Sequence, residues 1–311
     1  MSDTHQEYSA DGLEERNLRF ADVAGVRTRY YEGGSGEPLV LFHGGQYGHL
    51  YSLDSWSLNL PGLERDFHVF APDKLGQGFT PPPARDEDYT YEALYEHAAA
   101  FLEAMGAAPY HLVGHSRGGL LVADLALRAP ELVRKVVLVD SNTLAPNSPY
   151  APPGIFYQSL PSHAAFHPPS VSGPLTIESV RAEPVAQSYS TAHVTPDFIE
   201  RMWRIAQLPQ TAEARERMAE ANERVWLPSM NAGKRETLDA IDRGGLPVPT
   251  LLVWGANDLS APLPVSGYQL YERLASATAD LEFAVLNRAG HYCFREQPRR
   301  FNRLLRSFLL D

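Results

Sequence analysis

The pentapeptide GHSRG at 114–118 is the feature that most restricts how this chain can fold. It lies between YHLVGH at 110–115, an apolar run of strand type, and GGLLVADLALRAP at 118–130, which has the small and apolar residues of a buried helix. A serine at such a sharp strand-to-helix turn needs a glycine on either side, because the backbone there is strained and closely packed. The pattern therefore predicts that Ser116 projects from the carboxyl end of a parallel strand, at the start of a helix.

Short apolar runs alternate with helical patterns along most of the chain, and this predicts an α/β protein with a mostly parallel central sheet flanked by helices. The segment 18–32 has the pattern of a hairpin that turns at Ala24-Gly25. Thr90 is expected to cap a helix that ends just before Gly106. The other predicted strands are 38–45, 67–73, 110–116, 134–140, 249–258 and 281–287, and the other predicted helices are 53–63, 262–277 and 298–310.

The stretch 141–245 differs from the rest of the chain, because it has no strong strand pattern and is crowded with prolines and aromatic residues at 146–174. A disordered linker would not carry Phe198, Trp203 and Trp226 at helical spacing. We interpret the block as a helical cap placed over the carboxyl edge of the sheet. The expected organisation is a polar N-terminal tail at 1–17, a core formed by 18–140 and 246–311, and a cap at 141–245.

Composition and charge restrict the partners of the chain. The formal net charge of −11 opposes binding to nucleic acid and to anionic membranes. The N-terminus is polar and acidic, unlike a secretory signal, and no apolar run reaches the length of a spanning helix. Cys293 is the single cysteine, so neither an internal disulfide nor a cysteine-based zinc site can form. We expect a cytoplasmic protein that acts on a small molecule without metal or organic cofactor; whether it forms a homo-oligomer is left open.

A serine hydroxyl is a weak nucleophile near neutral pH and needs an adjacent base, which in turn needs a carboxylate to fix its tautomer. His291 follows the last predicted strand in a short glycine-containing loop, from which it could reach Ser116. Asp258 follows the strand LLVWG and gives the chain order Ser, Asp, His. Asp140 also ends a predicted strand and is the alternative acid. The expected catalytic set is Ser116, His291 and Asp258.

The oxyanion of a tetrahedral intermediate needs two converging hydrogen-bond donors. The loop His43-Gly44-Gly45 follows the first buried strand, and the N-terminus of the helix behind the nucleophile supplies further backbone N–H groups. We therefore expect the backbone N–H groups of Gly45 and Arg117 to form the oxyanion hole. The Arg117 side chain either packs at the turn or attracts a substrate carboxylate.

Four motifs in this order, HGG, GHSRGG, WGANDLSAP and AGHYCFREQP, resemble the α/β-hydrolase superfamily. The resemblance covers the chain from about residue 18, with the cap as its variable part. It implies the α/β-hydrolase fold and assigns the nucleophile, acid and base to Ser116, Asp258 and His291. The serine separates this chain from the similar epoxide hydrolases and haloalkane dehalogenases, which use an aspartate at the same turn.

Within the superfamily, the chain most resembles the hydrolases of ring meta-cleavage products, which split a carbon–carbon bond. PDKLGQGFT at 72–80 is similar to a loop of these enzymes, and LVDSNTLAPN at 138–147 is similar to the start of their cap. The chain departs from their pattern at His115, where they usually have asparagine, and at Tyr292, where they have tryptophan. Their carboxylate-binding cap arginine corresponds to Met202 here.

The resemblance implies a small carboxylated or aromatic-derived substrate, and carbon–carbon bond cleavage of a dienoic keto acid as the reaction. Hydrolysis of a carboxylic ester or lactone is the first alternative. A non-hydrolytic use of the fold, as a lyase, a cofactor-free oxygenase or a binding module, is the second. The candidate substrate-binding residues are Gly44, Tyr157, Arg201, Trp203, Arg204 and Tyr292.

Overall fold

Within the residues that the structure describes, an eight-stranded sheet forms the centre of the protein. The computed structural model describes residue 13 and the segments 15–146 and 175–311. The strands are β1 (Leu18–Val23), β2 (Val26–Gly34), β3 (Glu37–Phe42), β4 (Phe67–Pro72), β5 (Tyr110–His115), β6 (Val133–Val139), β7 (Thr250–Gly255) and β8 (Leu281–Leu286). Their order across the sheet is β1-β2-β4-β3-β5-β6-β7-β8. Strand β2 is antiparallel to β1 and β4, and the other five strand pairs are parallel. The expected mostly parallel sheet is confirmed.

The central strands of the sheet are buried on both faces. Successive side chains of a strand point to opposite sides. In β3, Val40 and Phe42 belong to one apolar layer, whereas Leu39 and Leu41 belong to the other. Strands that are covered on both sides have nearly continuous apolar sequences. This explains why PLVLF and VVLV show no polar alternation, and it leaves the ends of the strands as the place for polar side chains.

The helices of the first half follow the sequence signals closely, with one exception. The Thr90 hydroxyl accepts a hydrogen bond from the Ala93 N–H, and Gly106 ends the helix with a φ of 63°. The exception is the predicted helix over 53–63. It is divided into a 3₁₀ turn and a short α-helix, because Pro61 lacks the N–H that a continuous helix would need. The three α-helices are α1 (Leu60–Leu63), α2 (Tyr91–Met105) and α3 (Arg117–Arg128).

Between β6 and β7, the regular elements of the described residues are helices. Trp226 Nε1 donates to Gln46 Oε1 at 2.8 Å, and the Arg215 backbone contacts Gly48. Both partners lie in the loop after β3, so these helices cover the carboxyl edge of the sheet. The helices are α4 (Ile177–Ala186), α5 (Pro196–Ala206), α6 (Pro209–Ala221) and α7 (Leu227–Gly244), with a π-helical turn over Asn222–Trp226, and three more follow β7: α8 (Gly267–Ala275), α9 (Cys293–Glu296) and α10 (Pro298–Leu310).

The cap limits at 141–245 stay a prediction, as does the extent of the tail at 1–17. Residues 147–174, and therefore Tyr157, lie outside the described residues, as do residues 1–12 and residue 14. Within the described segments, no helix is both long enough and apolar enough to cross a bilayer.

Candidate active site

The carboxyl ends of four neighbouring strands bring polar side chains to one edge of the sheet. Ser116 follows β5, Asp140 follows β6, Asp258 lies in the loop after β7 and His291 lies in the loop after β8. All four residues are buried. In an open parallel sheet, this edge is where ligands bind. The structure therefore places the three expected catalytic residues, and the alternative acid, at the same edge.

The turn that carries Ser116 is strained and closely packed. Ser116 has φ 54° and ψ −117°, a conformation that non-glycine residues rarely adopt. A Cβ on Gly114 would lie 2.1 Å from the Gly118 carbonyl oxygen, and a Cβ on Gly118 would lie 2.6 Å from the Phe42 carbonyl oxygen. The glycines are therefore required by the close approach of the strand and the helix, as the sequence pattern predicts.

Replacing Gly114 with alanine should therefore destabilise the protein. Because the added Cβ would meet backbone that cannot move independently, we expect the free energy of unfolding to fall by about 3 kcal/mol or more. Urea denaturation measures this difference. Gly244→Ala is the control, since nothing lies within 4 Å of its added Cβ, and alanine in a helix is favoured by up to about 1 kcal/mol. Equal effects of the two substitutions would contradict the close-packing argument.

The His291 ring is held by Asp258. His291 Nδ1 lies 2.7 Å from Asp258 Oδ2, and Asp258 Oδ1 accepts hydrogen bonds from the Ser260 and Ala261 N–H groups at 2.7 and 2.9 Å. With the proton on Nδ1 donated to the carboxylate, Nε2 is left as the basic nitrogen. A general base requires this tautomer.

Asp140, the alternative acid, has a different environment. Its Oδ1 accepts a hydrogen bond from the Gly255 N–H at 2.8 Å. Burial, followed by the neighbouring Asp258 carboxylate, raises the pKa of Asp140 well above its ordinary value and favours the protonated form. The hydrogen bonds thus join His291 to Asp258 and leave Asp140 as a buried neighbour of that pair.

The glycine loop expected to supply an oxyanion donor packs directly on the nucleophile turn. A Cβ on Gly44 would lie 3.0 Å from Ser116 Cβ. The Gly44 carbonyl oxygen accepts hydrogen bonds from His43 Nδ1 at 2.8 Å and from Gln77 Nε2 at 3.3 Å. Because the C=O and N–H of one peptide unit point in opposite directions, these contacts also fix the direction of the Gly45 N–H. Burial lowers the pKa of His43 well below its usual value, so it is a neutral donor.

The loop that carries His291 is held by the cap. The His291 N–H donates to the Gln187 carbonyl oxygen at 2.8 Å. Glu296 accepts hydrogen bonds from the Gly290 N–H and from the Ser190 N–H, both at 2.7 Å. From the opposite side, His115 Nε2 donates to the His291 carbonyl oxygen at 2.9 Å, and burial keeps the His115 ring neutral by lowering its pKa. The base is therefore positioned by both the core and the cap.

The remaining candidates from the sequence lie in different places. Tyr292 is fully buried beside the base and stacks on Tyr51, with ring centroids 5.9 Å apart. Met202 is buried in an apolar cluster of the cap, against which Trp203 packs. The Arg204 guanidinium is largely exposed and forms an ion pair with Glu200, so the structure does not bring it to the site. Arg201 is half-buried on the same helix, and Tyr157 lies outside the described residues.

Sequence reasoning missed several polar groups near the nucleophile. Lys74 is buried, and its Nζ donates to the Gly45 carbonyl oxygen at 2.9 Å. Glu183 is buried on α4, and the charges of His291 and Arg117 influence its pKa, which burial raises. The position of Lys74 directly after β4 could have identified it, because loops after parallel strands meet at the same edge. Glu183 has no comparable signal in the sequence.

No group of three or more His, Cys, Asp or Glu side chains within the described segments is arranged to hold a metal ion. The described polar groups of the site include those named above, together with backbone N–H groups. Their chemistry suits attack by a hydroxyl on a carbonyl carbon, with proton transfer to an imidazole and stabilisation of an oxyanion.

Known proteins share this fold. Residues 37–298 match the family model described as alpha/beta hydrolase fold. The chain is 28% identical to 2-hydroxymuconate semialdehyde hydrolase from Pseudomonas sp. strain CF600, covering 93% of this chain and 92% of the relative. It is also 28% identical to 2-hydroxy-6-oxo-2,4-heptadienoate hydrolase from Pseudomonas putida, with 94% and 95% covered. A solved meta-cleavage product hydrolase from Pseudomonas fluorescens IP01 has 26% identity and a TM-score of 0.71, covering 94% of this chain and 97% of that one. The resemblance expected from the motifs is confirmed.

Proposed function

Since the chain belongs to the α/β hydrolase fold family, we propose that it is a serine hydrolase that cleaves a carbon–carbon bond in a dienoic keto acid of the meta-cleavage type. The substrate class is supported by the named activities of relatives that match almost the whole chain. The chemistry is supported by one observation above all: the His291–Asp258 hydrogen bond of 2.7 Å at the sheet edge that carries the strained Ser116.

In the proposed mechanism, the substrate carbonyl oxygen binds between the N–H groups of Gly45 and Arg117. His291 takes the hydroxyl proton of Ser116 as the oxygen attacks the carbonyl carbon, and Asp258 stabilises the imidazolium. Collapse of the tetrahedral intermediate breaks the carbon–carbon bond. Because a vinylic carbon cannot leave as an enolate, the enol of the dienoic acid is first converted to its keto tautomer, in which the hydroxyl proton has moved to the carbon next to the scissile carbonyl. That carbon then leaves as a conjugated enolate and takes its proton from the imidazolium, and water, activated by the same imidazole, hydrolyses the acyl-enzyme.

The choice between carbon–carbon and ester hydrolysis is open to a direct experiment. The purified protein is assayed with a coloured ring-cleavage dienoate and with p-nitrophenyl butyrate, and kcat/KM is compared for the two substrates. We expect the larger value for the dienoate, because a site built for its transition state discriminates through kcat/KM. Turnover of the ester alone would reassign the protein as an esterase. Turnover of neither, with no labelling of Ser116 by a fluorophosphonate, would contradict a hydrolase.

The proposed substrate is a small molecule. The expected cytoplasmic location stays a prediction, which fractionation of the source cell would test. We also propose that Asp258, rather than Asp140, is the acid of the triad.

A further inference from the structure

A cavity lies beside the nucleophile turn and is lined by both charged and apolar side chains. Its charged lining residues are Lys74 and Arg117, the residue directly after Ser116. Thr143, in the loop after β6, contributes a hydroxyl. The rest of its wall is apolar or aromatic and comes from the core and from the cap: Tyr91, Leu94, Leu120, Leu121, Trp226 and Met230.

Lys74 is an unusual residue to find at this depth. Only 3% of it is exposed, and within the described residues its ammonium has one hydrogen-bond acceptor, the Gly45 carbonyl, and no ion pair. An ammonium has three N–H donors, so the contact with Gly45 uses one of them. Burial and the neighbouring Arg117 charge lower the pKa of Lys74 well below its usual value. A buried cation of this kind is stabilised when an anion binds next to it.

Thr143 adds an independent indication of a ligand. Thr143 is 1% exposed, and its Oγ1 has no hydrogen-bond partner in the described part of the chain. Leaving a buried hydroxyl without a partner costs about 1–3 kcal/mol, so such groups normally face a water molecule or a ligand. Lys74, Arg117 and Thr143 therefore bring three kinds of hydrogen-bond donor to the same cavity.

Several basic side chains lie around the cavity. Arg215 on α6 joins Lys74 and Arg117 in lowering the pKa of His49 to about 3, although burial is the largest cause. His49 is consequently neutral and adds no charge. Burial lowers the pKa of Arg215, and the charge of Glu183 opposes that change. Burial raises the pKa of Glu183, and the charge of Arg117 opposes that rise. Glu183 thus interacts with two of the basic side chains, Arg117 and Arg215.

We propose that this cavity is the subsite for the carboxylate of the substrate, with Lys74, the Arg117 side chain and Thr143 as its donors. The inference rests on the proposed hydrolase function and names the acid-binding residues of the same site. It differs from the expectation of cap arginines near 202, since Met202 is buried in an apolar cluster and Arg204 pairs with Glu200.

The kinetic test uses two esters that differ in one charge, the mono-p-nitrophenyl ester of adipic acid and its methyl diester. We expect Lys74→Met to lower kcat/KM for the acid by about 10- to 100-fold more than for the neutral diester, the effect of one charge-assisted hydrogen bond. Lys135→Met is the matched control. Its Nζ also donates to a backbone carbonyl, that of Phe308, but it lies at the opposite edge of the sheet and should leave the ratio unchanged.

A binding measurement makes the result independent of turnover. Adipate is titrated calorimetrically into Ser116→Ala protein with and without Lys74→Met, and dimethyl adipate serves as the neutral probe. Loss of adipate affinity of about tenfold or more, at an unchanged melting temperature, supports the subsite. Equal losses of affinity for adipate and for dimethyl adipate, or an unaltered affinity for adipate, would overturn the proposed subsite. Failure of the dienoate assay with an intact charge ratio would instead contradict only the carbon–carbon proposal.

Discussion

Ser116→Ala is expected to lower kcat by at least about 10⁴-fold on every substrate that the wild-type protein hydrolyses. The substitution removes the attacking oxygen, whereas the oxyanion donors and the binding site remain. Substrate affinity should change little, so the loss should appear in kcat and in single-turnover rates. The measurement is steady-state kinetics together with labelling by a fluorophosphonate, which the variant should no longer accept.

Ser276→Ala is a suitable control for this change, because the Ser276 hydroxyl is exposed and contacts the Arg273 carbonyl oxygen. It should retain full activity and full labelling. Activity that survives in Ser116→Ala at more than a few per cent would exclude Ser116 as the nucleophile.

Asp258→Asn is expected to lower kcat by about 10⁴-fold. An amide NH₂ at this position cannot accept the Nδ1 proton of His291, so the imidazole adopts the other tautomer and loses its basic Nε2. The Oδ1 contacts with the Ser260 and Ala261 N–H groups can persist, which should keep the fold intact. Activity is measured together with far-ultraviolet circular dichroism and thermal unfolding, so that a folding defect is separated from a catalytic one.

Asp140→Asn is the matched comparison, since it alters the other buried carboxyl of the same edge. Burial and Asp258 favour the protonated form of Asp140, and an asparagine of the same shape can still accept the Gly255 N–H hydrogen bond. We expect kcat to change by less than about tenfold, which is no more than the loss of one neutral hydrogen bond would cause. If Asp140→Asn were the severe variant and Asp258→Asn the mild one, the acid of the proposed triad would have to be reassigned.

The sequence predicts the framework of the site because its signals are local. The glycines around Ser116 indicate the strained turn, and the apolar runs before Asp258 and His291 indicate strands whose ends meet at one edge. Helix ends are equally local, as the Thr90 cap shows. The divided helix over 53–63 follows from Pro61, which is also a local signal in the sequence.

The walls of the site could not be predicted, because they depend on contacts between distant segments. Arg204 lies two residues from the position of the family's carboxylate-binding arginine, yet its guanidinium is directed outward to Glu200. Lys74, Thr143 and Trp226 line the same cavity because loops of the core pack against the cap. Neither helical nor strand periodicity in the sequence indicates that packing. The depth at which Lys74 is buried is likewise a property of the assembled fold.

The contact of the segment 187–190 with the loop of the base has a consequence for protein engineering. A Cβ on Gly290 would lie 2.4 Å from the Gln187 carbonyl oxygen, and the same carbonyl receives the His291 N–H. Exchanging the cap for that of a relative, in order to alter which molecules are accepted, would therefore also disturb the proton acceptor unless 187–190 and Glu296 were transplanted as a unit. In this chain, the attachment of the cap and the position of the His291 loop depend on the same few backbone atoms.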